Sequence, residues 1–134
     1  MPPRLIIDGN NVIGARPDGW WRDRAAATRR LVEQLAEWTA ESDGSVVVVF
    51  DGRRPEGFTA PGTLEVVFAE RAGRDAADDV IAALVANHPL PERLAVVTSD
   101  RGLAARVRAH GARVLGSRGF REQLDRRGSA PAER

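Results

Sequence analysis

Short, uninterrupted apolar runs alternate along this chain with longer stretches in which apolar residues recur every three or four positions. Arg4 to Asp8 carries Leu5, Ile6 and Ile7, a strand-forming run that ends in a carboxylate. Val46-Val47-Val48-Val49-Phe50 has no polar alternation, the pattern of a strand covered on both faces as in a parallel sheet. It also ends in a carboxylate and a glycine, Asp51-Gly52. Leu64 to Ala69 alternates in part and reads as a strand nearer an edge. Leu94 to Thr98 and Ala112 to Leu115 complete the strands. Helical periodicity covers Asp23 to Glu41, with Ala27, Leu31, Leu35 and Trp38 on one side and charged residues mostly on the other. It returns from Asp75 to Asn87, where Pro89 and Pro91 stop it, and from Arg101 to His110, closed by Gly111. A last helix runs from Ser117 to about Arg127, with Phe120 and Leu124 buried. Gly9 to Trp20 reads as a loop, with Gly9 supplying a sharp turn and a positive φ if the turn needs one. Arg53 to Gly62 is a second loop, Glu70 to Arg74 a charged connection, and Gly128 to Arg134 a disordered tail.

The order β-α-β-β-α-β-α-β-α predicts an α/β fold: a mostly parallel five-stranded sheet with helices on both faces, in one domain over residues 1–127. Such sheets bind ligands at the carboxyl ends of their strands, where the strand order reverses. Asp8, Asp51 and Asp100 each follow a strand, and Asp78 and Asp79 open a helix that starts at the same edge. Like charges gathered there raise one another's pKa, and a hard divalent cation relieves the conflict. Each carboxylate also has a plain structural reading. Asp100 can cap the next helix, Asp75 and Asp78 resemble a capping pair, and Asp51-Gly52 can be a turn. Spacing alone leaves the acidic metal site and the set of caps and turns both open.

Composition narrows the chemistry. There is no cysteine, hence no disulfide framework and no thiolate metal site. No signal-peptide stretch or apolar run of membrane length is present, so the expected location is a bacterial cytoplasm, without membrane association, and the Ala, Arg and Gly bias suggests a GC-rich genome. The net charge of +1 conceals that all 20 basic residues are Arg. From Arg101 onward nine Arg face three acids. That excess reads either as solvated helix faces with biased codon usage or as a phosphate-binding surface beside an acidic centre. His88 and His110 fall at helix ends and read as structural, and no Ser-His-Asp or Cys-His set is available for covalent catalysis. Walker A and Gly-x-Gly-x-x-Gly patterns are missing, as is the Asp-x-Asp nucleophile of the haloacid dehalogenase group, where this chain has Asp8-Gly9-Asn10. Trp20-Trp21 reads as a pair packed over the neighbouring helix in preference to a base-stacking surface.

Four motifs in order, Asp8-Gly9-Asn10-Asn11, Val49-Phe50-Asp51, Ala77-Asp78-Asp79-Val80-Ile81 and Thr98-Ser99-Asp100, resemble the signature of the NYN domains, nucleases allied to the PIN domains. The spacing is most similar to the bacterial YacP-like branch, and the resemblance covers nearly the whole chain. It implies a PIN-like three-layer sandwich and a metal-dependent endoribonuclease, with a non-catalytic RNA-binding module of the same fold as the alternative. Asp8, Asp78 and Asp100 would be catalytic and, with Asp51, would hold Mg²⁺ or Mn²⁺. Asn11, Asp79 and Ser99 would support the site. RNA, a translation-linked one among the candidates, would meet Arg53 and Arg54 after strand two, Arg74 before the acidic helix and Arg101 after Asp100. Arg118 and Arg121 on the last helix and Asn10 beside Asp8 would complete that surface.

Overall fold

The computed structural model describes residues 3–16, 18–41, 44–70 and 75–128. The expected disordered tail and Arg74 lie outside the described residues, apart from Gly128 as the last residue of the final helix. Five strands form one sheet: β1 (Leu5–Asp8), β2 (Val46–Asp51), β3 (Glu65–Ala69), β4 (Ala95–Val97) and β5 (Arg113–Leu115). Their order is β3-β2-β1-β4-β5, and every neighbouring pair is parallel. The mostly parallel sheet expected from the sequence is therefore wholly parallel. β3 lies at an edge, as its partial alternation indicated. The order reverses direction at β1, so the crevice between the carboxyl ends of β1 and β4 is the topological switch point.

Side chains on a strand alternate between faces, and each face has its own apolar cluster. Leu5, Ile7, Val46, Val48 and Phe50 pack under α1 (Gly9–Gly14), α2 (Arg24–Ala40) and α5 (Ser117–Gly128). Ile6, Val47, Val49 and Val96 pack under α3 (Ala76–Ala86) and α4 (Arg101–Arg108). This gives the three-layer α/β sandwich. Asp8 shares the parity of Ile6, Asp51 that of Val49, and Thr98 that of Val96, so all three project toward the α3–α4 layer. α2 starts where Asp23 accepts the Ala26 amide at 3.0 Å. α4 ends as expected: Gly111 takes φ 95°, its amide reaches the Arg108 carbonyl, and the Ala112 amide reaches that of Val107. No helix among the described residues is long and apolar enough to cross a membrane.

The expected loop from Gly9 to Trp20 is corrected. Gly9–Gly14 forms helix α1, and Trp20–Arg22 forms a 3-10 turn. Gly9, Val12 and Ile13 are buried at positions i, i+3 and i+4, a helical stripe that the Gly and Asn content obscures. Gly9 accordingly has no positive φ. Its lack of a side chain serves a close approach, because a Cβ there would collide with the Phe50 ring. The Trp pair is also only half as expected: Trp20 packs against the core, whereas Trp21 is 51% exposed.

Gly9→Ala must displace Phe50, a core side chain that is 1% exposed. Overpacking of this kind costs about 1–3 kcal/mol. Thermal denaturation should show a melting temperature several degrees lower than that of the wild type. An unchanged melting temperature would mean the ring yields without cost.

Candidate acidic site at the strand carboxyl ends

Asp8 ends β1 and is only 5% exposed. The Thr98 hydroxyl donates to its Oδ2 at 2.8 Å and accepts the Asp100 amide at 3.1 Å. One hydroxyl thus joins the first carboxylate to the start of α4. Burial pushes the Asp8 carboxyl up from 3.8 to about 6, and Asp51 and Asp100 add repulsion. The Thr98 hydrogen bond opposes the rise. The Asn11 backbone amide acts in the same direction as Thr98 without completing a side-chain cap.

Asp78 comes from the first turn of α3, which parallel connectivity delivers to this edge. It is half-buried, and its carboxyl also rises to about 6. Burial is the largest cause, followed by repulsion from Asp8, Asp100, Asp75 and Asp51. These couplings bring Asp8, Asp51, Asp78 and Asp100 into one electrostatic centre. Asp51 is held by the Ala77 amide, which donates to its Oδ1 at 3.0 Å. Asp100 caps α4, with its Oδ1 accepting the Leu103 amide at 2.9 Å. The capping reading therefore holds for Asp100, whereas the expected Asp75–Asp78 capping pair is corrected: Asp75 makes no side-chain cap, and Asp51 takes an amide of the first turn of α3 instead.

The two amides of α1 brace the edge from the opposite layer. Asn10 Oδ1 accepts the Asp51 amide at 2.6 Å, tying α1 to the end of β2. Asn11 Oδ1 accepts the Ser99 amide at 2.8 Å and the Ser117 hydroxyl at 2.5 Å. Ser99 Oγ in turn accepts the Ser117 amide at 2.9 Å. Asn11, Ser99 and Ser117 thus join α1, the loop after β4 and the start of α5. Asp79 points elsewhere: it pairs with Arg106 of α4 at 3.0 Å, locking the two helices of that layer together.

The basic residues divide. Arg101 opens α4 and lines a cleft of about 560 Å³ with Thr98, Ser99 and Gly116. Arg118 lines a neighbouring cleft of about 400 Å³ with Asn10, Asn11, Ser99 and Ser117. Arg53 is exposed on the loop after β2. Arg54 lies over the Phe58 and Phe68 rings at 5.1 and 5.8 Å, against the β3 edge. Arg121 departs from the expected rim. It is 8% exposed, at ion-pair distance (3.5 Å) from Asp125. The turn of α5 carries it inward beside Phe120, and burial, with Arg16 nearby, holds its guanidinium below the ordinary range. His88 hydrogen-bonds the Pro3 carbonyl at 2.7 Å, in keeping with a structural role.

Sequence reasoning passed over two residues that organise this edge. Thr98 was visible only as part of a motif, and Ser117 only as a helix start. A hydroxyl immediately after a buried strand is the signal for the first. Nothing in the spacing singles out Ser117, because its partner Asn11 lies 106 positions away.

The two raised carboxyls have a consequence for stability in metal-free buffer. An acid whose folded pKa exceeds its unfolded value binds its proton more tightly when folded. The resulting stability is complete below about pH 4 and is lost as pH rises through about 6. Asp78→Asn removes one repelling charge from the half-buried cluster. It should raise the melting temperature at pH 7.5 by an amount equivalent to about 1 kcal/mol and leave it unchanged near pH 4. Thermal denaturation in chelator checks this, and an equal effect at both pH values would show that repulsion is not its source.

The comparisons with known proteins agree with this fold. The crystal structure of Rae1 (YacP) from Bacillus subtilis is 28% identical, with a TM-score of 0.74 over 93% of this chain and 76% of that one. A tryptophan-to-leucine mutant of the same protein, also 28% identical, gives 0.70 over 92% and 77%. No curated protein matches the chain. The YacP-like NYN domain profile matches residues 5–133, and the chain therefore belongs to that family of PIN-like nucleases.

Proposed function

We propose that this protein is a metal-dependent endoribonuclease that hydrolyses RNA phosphodiester bonds at the carboxyl ends of its strands. The observation that carries the reading is the convergence of Asp8, Asp51, Asp78 and Asp100, from four different elements, with two carboxyls pushed up to about 6. Such a centre is poorly stable as a set of free anions, and a divalent cation is its natural complement. The donors are all hard carboxylate oxygens, which suit Mg²⁺ or Mn²⁺. Among the described residues no group of three or more His, Asp or Glu side chains is arranged so that together they could hold a metal ion. That fits an ion held by one or two carboxylates, with water and substrate phosphate completing its shell. When bound, the cation supplies charge neutralisation and an acidified water at the scissile phosphate.

The protein's own groups have distinct tasks in this reading. Thr98 keeps Asp8 oriented, and the Ala77 and Leu103 amides hold Asp51 and Asp100 in place. Asp78 is half-buried and so more open to substrate than the buried Asp8. Asn11 and Ser99 fix the loop after β4 relative to α1, while Asp79 anchors α3 to α4. Arg101 and Arg118 flank the centre in adjoining clefts and meet phosphates on either side of the cut, with Arg53 on the loop after β2. Asn10 contributes to RNA binding from the wall of the Arg118 cleft. Family membership favours RNA as the polymer.

The test is cleavage of structured and single-stranded RNA with Mg²⁺, with Mn²⁺ and with chelator, beside Asp8→Asn and Asp78→Asn. Cleavage should require metal and fall at least ~100-fold in both variants, beyond the loss typical of a merely supporting residue. Circular dichroism should show both variants folded. Equal cleavage by wild type and variants, or none under any metal, would sink the catalytic reading. RNA binding retained without cleavage would assign the fold to a binding module instead.

A further inference from the structure

Trp21 is the one exposed Trp or Phe among the described residues, with half of its surface open to solvent. It does not sit on a floppy segment. Gly19 enters the 3-10 turn with φ 83°, which a side chain would resist, and Asp23 leaves it as the capped start of α2. Trp20 anchors the turn by packing on the core, and Trp21 meets it edge to face at 5.9 Å. A guanidinium stands beside each indole: Arg24 is 5.4 Å from the Trp20 centroid and Arg22 is 5.9 Å from that of Trp21. The turn therefore presents a fixed π-surface with two cations next to it.

Its location relates it to the acidic edge. A Cβ placed on Gly14 would lie 3.9 Å from Trp20 Cζ2, so the ring abuts the last residue of α1. Gly14 lines the same cleft as Asn10, Asn11, Ser99 and Arg118. That cleft lies beside the residues that brace the acidic edge, and its Gly14 wall is where Trp20 packs. A single half-exposed Trp is ordinary on a protein surface; what sets this one apart is the second indole and the two guanidiniums grouped with it. Aromatic faces interleaved with cations are what a single-stranded nucleic acid uses, the ring for an unpaired base and the guanidinium for the adjoining phosphate.

We propose that the Trp20–Trp21 turn is a base-stacking platform for single-stranded RNA entering or leaving the acidic centre, with Trp21 as the stacking face and Arg22 and Arg24 meeting phosphates. This rests on the ribonuclease reading and adds a preference: the strand beside the cut is unpaired. Duplex RNA has no free base face to offer, so the platform selects against it.

The test measures binding to a single-stranded oligoribonucleotide and to an RNA duplex in the Asp78→Asn background, which keeps the substrate intact. Trp21→Ala should weaken single-strand binding ~10-fold, within the range of one stacked base, and leave duplex binding unchanged. Trp21→Phe should restore most of the affinity, whereas Trp21→Leu, apolar and able to occupy the same turn, should not. Trp21→Ala at wild-type single-strand affinity, equal losses for both RNAs, or full rescue by Leu would each overturn the platform. Cleavage by the otherwise unaltered chain is measured in parallel. Metal-dependent cleavage with indifference at Trp21 removes only this proposal, whereas neither binding nor cleavage of any RNA removes the ribonuclease reading with it.

Discussion

The acidic edge is organised around one hydrogen bond, from the Thr98 hydroxyl to the buried carboxylate of Asp8. It spans β1 and β4, the two strands between which the sheet changes direction. A carboxylate that is 5% exposed has few ways to recover its lost hydration. Thr98 offers one donor, too little to offset burial, and the carboxyl stays raised to about 6. The strain is local and it is useful. Packing of Ile6, Val47, Val49 and Val96 under α3 and α4 fixes Asp8 at this depth regardless of its electrostatic cost. The apolar core thus holds a group in a position that its own solvation disfavours.

Around that bond the edge is braced by amides and hydroxyls that carry no net charge. Asn10 fastens the end of β2, and Asn11 with Ser99 and Ser117 fastens the loop after β4 to α5. Neutral braces suit this place. A cationic brace would neutralise the carboxylates and an anionic one would add repulsion, whereas neutral donors and acceptors position the edge without altering its charge. The short helix α1 is what puts both amides within reach. Consecutive residues on a helix diverge by about 100°, so Asn10 and Asn11 address different neighbours from one turn.

Much of this was legible in the sequence because it follows from periodicity. The Val46–Phe50 run and the strand–helix alternation required a parallel sheet, and a parallel sheet puts Asp8, Asp51, Asp78 and Asp100 at one edge. What escaped was set by tertiary partners. Gly9–Gly14 has the composition of a loop, yet it is helical because Val12 and Ile13 gain burial and the Asn side chains find amides in distant strands. Gly9 looked like a residue needed for its φ, whereas its function is to make room for Phe50. Arg121 counted toward a basic rim by charge alone, but its place in the turn of α5, beside Phe120 and facing Asp125, takes it inside. Charge counts do not carry a direction, and helical phase does.

A helix-capping carboxylate and a member of an acidic centre are not alternatives, for a reason of valence. A carboxylate has two oxygens with about four acceptor directions, and a helix cap occupies one of them. Asp100 gives Oδ1 to the Leu103 amide and Asp51 gives Oδ1 to the Ala77 amide, yet both still repel Asp8 and Asp78. Each cap orients its carboxylate without consuming it. Capping also aligns the positive end of a helix dipole with the acidic cluster, which stabilises anions that burial and crowding oppose. Structure and charge are separable at these residues by chemistry: an Asn keeps the capping oxygen and loses the charge, whereas an Ala loses both. A fold that borrows its helix caps as its acidic centre cannot lose the centre by drift to Ala without also weakening two helices.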